Sequence, residues 1–286
     1  MIKIEALEEM ISLCIASAYL KDDVSVSLLI LARPESGKTQ TMRQFSINNG
    51  VCWLSDITYT GLIDTLDKIS DGTIRTLLIP DMLKLFGRSA SIKSNLLTLM
   101  NELIEEGIKS IKTYEKKIEY KNFVRCNVIS AITSTDFFSS RRLMGGIGFL
   151  SRVVPFSYSY SVSDVNEIFK SIMFGDNSFG FKKLKLPKKY VKVEMPIELC
   201  EKIKNNITLK VVDRFKRKVN EEAYGFRLQR NLQTLAKASA LLSGRKNVLD
   251  EDVERLEWLS EWINYDFNVL RNNEIATKNQ DKYKNV

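Results

Sequence analysis

The segment Ala32-Arg33-Pro34-Glu35-Ser36-Gly37-Lys38-Thr39, with Gln40 behind it, combines residue types that hold a phosphate chain. In such a loop successive backbone N–H groups wrap the β-phosphate, a lysine reaches the β- and γ-oxygens, and a hydroxyl ligates Mg²⁺. Gly37, Lys38 and Thr39 stand in the order this chemistry needs, and Ala32 replaces the first glycine of G-x-x-x-x-G-K-[ST]. ATP with Mg²⁺ is the expected ligand. Hydrolysis needs a second element, a carboxylate at the end of a neighbouring strand that holds the metal and polarises water. In TLLIPDM the carboxylate is Asp81, flanked by Pro80 and Met82 and not by a second acid. ISAITST supplies Thr133, Ser134 and Thr135, where a hydroxyl either positions the lytic water or caps the next helix.

Composition removes other chemistries. The chain of 286 residues has no histidine, which excludes serine-histidine triads, histidine general bases and imidazole zinc sites. Cys14, Cys52, Cys126 and Cys200 lie far apart with no C-x-x-C pair, so they read as structural, reduced thiols of an intracellular protein. No apolar run approaches the ~18 residues of a bilayer span, and MIKIEALEEMISL is acidic where a secretion signal is basic. A cytoplasmic location without membrane attachment is expected. The 43 Lys and Arg against 35 Asp and Glu leave +8 at pH 7, which suits an anionic partner such as nucleic acid.

Elements must carry these residues to one place. Ile4, Leu7, Ile11, Ile15 and Ala18 repeat at helical spacing, so residues 3–20 read as an amphipathic helix. Val24 to Leu31 is apolar, β-branched and too short for a helix, a buried strand leading into the phosphate loop. Short apolar runs recur at Val51–Ser55, Ile74–Ile79, Arg125–Thr133 and Val153–Tyr158, between helical stretches. Strands alternating with helices predict a parallel α/β sheet covered on both faces. GIKSIKTYEKKIEYKNF, behind a helix from about Ser91 to Glu106, reads as a projecting β-hairpin with its turn near Tyr114–Lys117. After Ser161 the pattern is helical: Asp164–Met173, Ile197–Asn220 with a break near Asn205, Arg227–Leu242 and Glu251–Trp262, with Ser163 and Asp250 as N-caps. The expected organisation is an α/β nucleotide-binding part over 1–160, a helical lid over 161–272 and a flexible tail over 273–286.

These segments, in this order, resemble AAA+ ATPases of the minichromosome maintenance (MCM) and MoxR-like branch. ARPESGKTQTM is similar to the MCM nucleotide loop, IPDMLKL to its Walker B segment and RCNVISAITS to its sensor-1 strand. EEGIKSIKTY resembles the helix end leading into the pre-sensor hairpin, GFLSRVVP the arginine-finger stretch and FRLQRNLQTLAKASAL the sensor-2 helix. The resemblance implies a five-stranded P-loop core with a helical lid, ATP between them, Lys38 and Thr39 as the phosphate and Mg²⁺ contacts, Asp81 as catalytic acid with Pro80 where the family has its metal-binding aspartate, and Thr133 at sensor 1. It makes Arg152 the finger acting on a neighbouring subunit, with Arg141 and Arg142 as alternatives, and Arg227 the sensor-2 residue with Arg230 competing. A finger acting in trans implies a homo-oligomer, a hexameric ring or a filament. Lys112, Lys116 and Lys117 on the hairpin would follow a DNA backbone, and Lys182 to Lys192 forms a second basic stretch. A DNA-remodelling or translocating ATPase of a mobile element or virus is the expected function, since the length leaves no room for the large N-terminal region of complete MCM helicases. A MoxR-like chaperone acting on a protein partner and a nucleotide-switched scaffold with little turnover are the alternatives.

Overall fold

Along the first strand, Leu28, Ile30 and Ala32 join one hydrophobic core while Leu29 and Leu31 join another. That period-2 division makes the strand a two-sided element, buried over its whole length. The structure is a computed structural model that describes residues 4–82, 89–112, 117–175, 180–219 and 224–265. Five parallel strands, β1 (Ser27–Ala32), β2 (Val51–Trp53), β3 (Thr76–Ile79), β6 (Asn127–Thr133) and β7 (Val153–Ser157), form a sheet in the order β2-β3-β6-β1-β7. β6 thus lies between the phosphate-loop strand and the Asp81 strand. Ala32 pairs with Thr133, and Ile79 with Ser130, which brings the ends of β1, β6 and β3 to one edge.

On one face of the sheet lie α1 (Glu5–Ser17) and the late helices α7 (Ile197–Ile203), α9 (Phe226–Leu242) and α10 (Asp250–Leu259), which share a core with Ile129 and Phe156. On the other lie α3 (Tyr59–Ser70), α4 (Ala90–Asn101) and α5 (Ser134–Gly146), around Leu77, Val128 and Ile132. α4 continues into a π turn, Glu102–Glu106, and β4 (Ile108–Lys112) and β5 (Lys117–Val124) form the expected antiparallel hairpin. The break expected near Asn205 is a second π turn, Lys204–Thr208, followed by α8 (Leu209–Val219). Residues 113–116 and 266–286, which include Lys116 and the expected tail, lie outside the described residues.

Two N-caps differ from expectation. Ser161 and not Ser163 caps α6 (Val162–Met173), because Asp164 three residues on accepts from the Ser161 N–H and completes a capping box. Asp250 is the first helical residue of α10 and Leu249 the cap, with Asp252 accepting from the Leu249 N–H at 2.9 Å. The four cysteines are free thiols. Among the described residues no helix is long and apolar enough to cross a membrane.

Candidate functional site

The loop between β1 and α2 (Lys38–Gln44) owes its shape to two left-handed residues, Glu35 (φ 61°) and Gly37 (φ 84°). Gly37 adopts this region without a Cβ clash, whereas Glu35 does so at a cost of ~1–2 kcal/mol. Alternating hands turn successive N–H groups toward one concavity, which suits an anion. Lys38 is buried, and its ammonium bonds Arg33 O at 2.7 Å, Ala32 O at 3.0 Å and Ser36 Oγ at 3.2 Å. Burial lowers its pKa to about 8, and the carboxylates of Asp81 and Asp136 pull it back up. Thr39 and Gln40 are exposed at the start of α2.

Two phenols brace the loop from below. Tyr158 Oη and Tyr160 Oη both donate to Ser36 O, at 3.0 and 2.7 Å. Burial pushes both phenols up, Tyr160 to about 12, so they remain protonated donors. Beside them a cavity of about 240 Å³ runs along Arg33, Pro34, Glu35, Ser36, Ser161 and Val165. The Tyr-Ser-Tyr alternation after the last strand was the available sequence signal for this brace.

Asp81 follows β3 with only Pro80 between, and Met82 N–H donates to Ala131 O at 2.9 Å, which fixes the strand end against β6. The second carboxylate near Lys38 is Asp136, on the first turn of α5 and not beside Asp81 in the chain. Sequence spacing gives no hint of it, because the pairing of β6 with β1 is what carries it in. Thr133 caps α5: its Oγ1 accepts from Asp136 N–H at 3.2 Å and donates to the Asp136 carboxylate.

The donor set fits a triphosphate. Lys38 now satisfies its protons with neutral oxygens, for which anionic phosphate oxygens are stronger partners, and the loop N–H groups add no competing charge. The Thr39 hydroxyl and Asp81 are hard oxygen ligands of the kind Mg²⁺ takes alongside phosphate oxygens. Among the described residues no group of three His, Cys, Asp or Glu could hold a metal unaided.

The arginines gather elsewhere. β7 runs parallel to β1 with Val153 opposite Ser27, so Arg152 stands at the amino edge of the sheet and the phosphate loop at the carboxyl edge. The 6 residues of β1 separate the two levels by about 17 Å at ~3.3 Å per residue. Arg152 Nη2 meets Glu106 Oε1 at 2.6 Å, and its Nε approaches Glu105 Oε2 at 3.2 Å. Arg227 Nε and Arg230 Nη2 both donate to Glu105 Oε1 at 2.8 Å, and Arg227 Nη1 donates to Ser151 Oγ at 3.1 Å. Arg227 and its competitor Arg230 therefore share one cluster with Arg152, away from Lys38. Arg141 stacks over Phe137 at 6.0 Å and, with Arg227, Phe226 and Tyr224, lines an apolar cavity of about 540 Å³ beside the cluster; Arg142 is exposed.

On the hairpin, Lys112 pairs directly with Lys117 across the strands. Like charges opposite each other destabilise a hairpin, so this pair is costly unless an anion meets it. Lys109 lies 5.9 Å from the ring of Phe123, a side chain that is 60% exposed.

The chain's structure is similar to that of a full-length MCM homolog from Methanopyrus kandleri, with a TM-score of 0.56 and 14% identity. The fold is MCM-like. The alignment takes in 92% of this chain and 56% of the other, so the chain spans little more than half the length of that MCM homolog. No protein-family model matches the chain, and no curated protein does. What the likeness establishes is the fold, an α/β core with a five-stranded parallel sheet, as the sequence resemblance implied.

Proposed function

We propose that the protein is an AAA+ ATPase that assembles head to tail, completes each ATP site with arginines from a neighbouring copy, and couples nucleotide turnover to DNA. The observation that carries the reading is the division of one site's chemistry between opposite edges of one sheet. Lys38, Thr39 and Asp81 stand at the carboxyl edge and Arg152, Arg227 and Arg230 at the amino edge, too far apart to meet within one protomer. A head-to-tail contact joins the two halves and repeats into a ring, such as a hexamer, or a filament.

In this reading the loop N–H groups and Lys38 bind the phosphates, and the cavity beside Tyr160 and Val165 takes the base. Mg²⁺, held by Thr39 and Asp81, would neutralise charge developing on the phosphate oxygens. Asp81 accepts the proton of the attacking water, while Thr133 and Asp136 orient that water by hydrogen bonds. Arg152 and Arg227 of the adjoining copy stabilise the transition-state charge, the kind of contribution worth several orders of magnitude in rate. The division into a nucleotide-binding part over 1–160 and a lid over 161–272 belongs to the same proposal, as do a cytoplasmic setting and Lys112, Lys116 and Lys117 as the DNA contact.

A second reading, a nucleotide-switched scaffold with little turnover, draws support from Pro80, which leaves Asp81 without an adjacent acid. Steady-state ATP hydrolysis with and without single- and double-stranded DNA, with oligomer mass recorded alongside, separates the two. DNA-stimulated turnover that vanishes in Lys38→Ala is the expected result. ATP binding and assembly without turnover would replace the motor by the scaffold.

A further inference from the structure

Three guanidinium groups packed together repel one another unless an anion sits among them. Here that anion is Glu105, whose side chain is 11% exposed. Its Oε1 accepts from both Arg227 and Arg230, and its Oε2 faces Arg152 Nε. Burial pushes the Glu105 carboxyl up, but the hydrogen bonds from Arg227 and Arg230 outweigh it and hold the group below the usual carboxylate range, so it is ionised at neutral pH. The adjacent Glu106 is different: its side chain is 50% exposed, and its carboxylate meets Arg152 Nη2. Donor capacity is left over, because Arg230 Nε and Arg152 Nε are both buried without a hydrogen bond, the latter meeting Glu105 Oε2 as an ion pair alone.

The backbone explains how one glutamate reaches three arginines from separate segments. α4 ends in the π turn Glu102–Glu106, closed by Gly107 N–H to Glu102 O at 2.6 Å, and π turns re-aim side chains at the end of a regular helix. Arg125, following β5, clasps Glu106 O with its Nε and Nη2 at 3.2 and 3.0 Å, which anchors the turn to the base of the hairpin.

We propose that Glu105 is a positioning residue for hydrolysis in trans: it collects Arg152, Arg227 and Arg230 into one cationic unit that the protomer presents to its neighbour's phosphate loop. The proposal rests on the shared-site reading above. Glu105 stays in place as the central counter-ion, whereas the exposed Glu106 carboxylate gives up Arg152 Nη2 to a phosphate oxygen.

Glu105→Gln keeps the shape and removes the charge. The expected result is a fall in kcat of about tenfold or more in assembled protein, with the Kd of a fluorescent ATP analogue on isolated protomers within about twofold of wild type, since Lys38 is remote. Adding Glu105→Gln to Arg227→Ala should lower kcat by a smaller factor than Glu105→Gln does in wild type, because a residue acting only through the arginines loses part of its effect once one of them is gone. A purely structural role would instead multiply the two losses. Glu105→Asp, which retains the charge, should recover part of the lost turnover. Wild-type turnover in Glu105→Gln, or fully multiplicative losses, would overturn the proposal while leaving the shared-site reading intact. Absence of hydrolysis in the assembled wild type would overturn both.

Discussion

Lys38 is where charge and pH meet in this molecule. Its ammonium is enclosed by Ala32 O, Arg33 O and Ser36 Oγ, and burial sets its pKa at about 8 against an ordinary 10.5. Between those values the unfolded chain holds a proton that the folded, nucleotide-free protein has released, so this lysine's share of stability rises with pH across that window. Nucleotide binding runs the other way. Phosphate oxygens favour the ammonium, so ATP affinity should be full below about pH 8 and fall above it, by up to ~tenfold per pH unit. Titration calorimetry at pH 7, 8 and 9 should show this fall in wild type and a flat, weak response in Lys38→Ala. Equal wild-type affinity at pH 7 and 9 would mean that the Lys38 ammonium is not the phosphate contact. Asp136 teaches the opposite lesson about legibility: nothing at positions 80 to 82 predicts it, because Lys38, Asp81 and Asp136 meet only where three parallel strands end together.

At the scale of elements, the junction between the π turn and the hairpin is the segment with least tolerance. Gly107 has φ 86°, and a Cβ there would lie 2.8 Å from Phe123 Cβ and 3.0 Å from Arg125 Cγ. Gly107→Ala combines left-handed strain with a clash and should destabilise the protein by about 2 kcal/mol. Gly146, the last residue of α5, has nothing within 4 Å of such an atom and no left-handed requirement, so Gly146→Ala should be neutral or stabilise by up to ~1 kcal/mol. Urea midpoints at constant m-value measure both. Hairpin and helices were legible because their apolar periods of 2 and 3.6 are local. The two π turns were not, since Glu102–Glu106 and Lys204–Thr208 continue the helical pattern and differ from it by a single shifted hydrogen bond.

Over the whole molecule, the proposed function depends on two edges that never meet inside one protomer. Mixing Asp81→Asn protomers with Arg152→Ala protomers should therefore restore turnover that neither variant has alone, because some interfaces then join an intact phosphate edge to an intact arginine edge. If mixtures show only the sum of the two residual rates, Arg152 does not act in trans. The hairpin gives a separate test. Replacing Lys112 and Lys117 by alanine should weaken DNA binding and lower the salt slope by about one unit for each phosphate that is no longer neutralised, read from fluorescence anisotropy at several salt concentrations. The same variant should leave ATP binding unchanged, since the paired lysines stand on a two-stranded sheet separate from the five-stranded one that carries Lys38.

By itself the sequence determined what is local. The phosphate loop with the strand that feeds it, and the acid with the TLLI strand before it, are each short runs whose order dictates their local geometry, and the alternation of short apolar runs with helices dictates a parallel sheet. Tertiary structure decided which distant side chains share a space. It brought Asp136 to Lys38, set Tyr158 and Tyr160 under Ser36, and drew Arg152, Arg227 and Arg230 onto Glu105 at the edge remote from the loop. The physical reason is strand order: with β6 and β7 on either side of β1, neighbours in space come from segments about a hundred residues apart, and no periodicity in the chain encodes that distance.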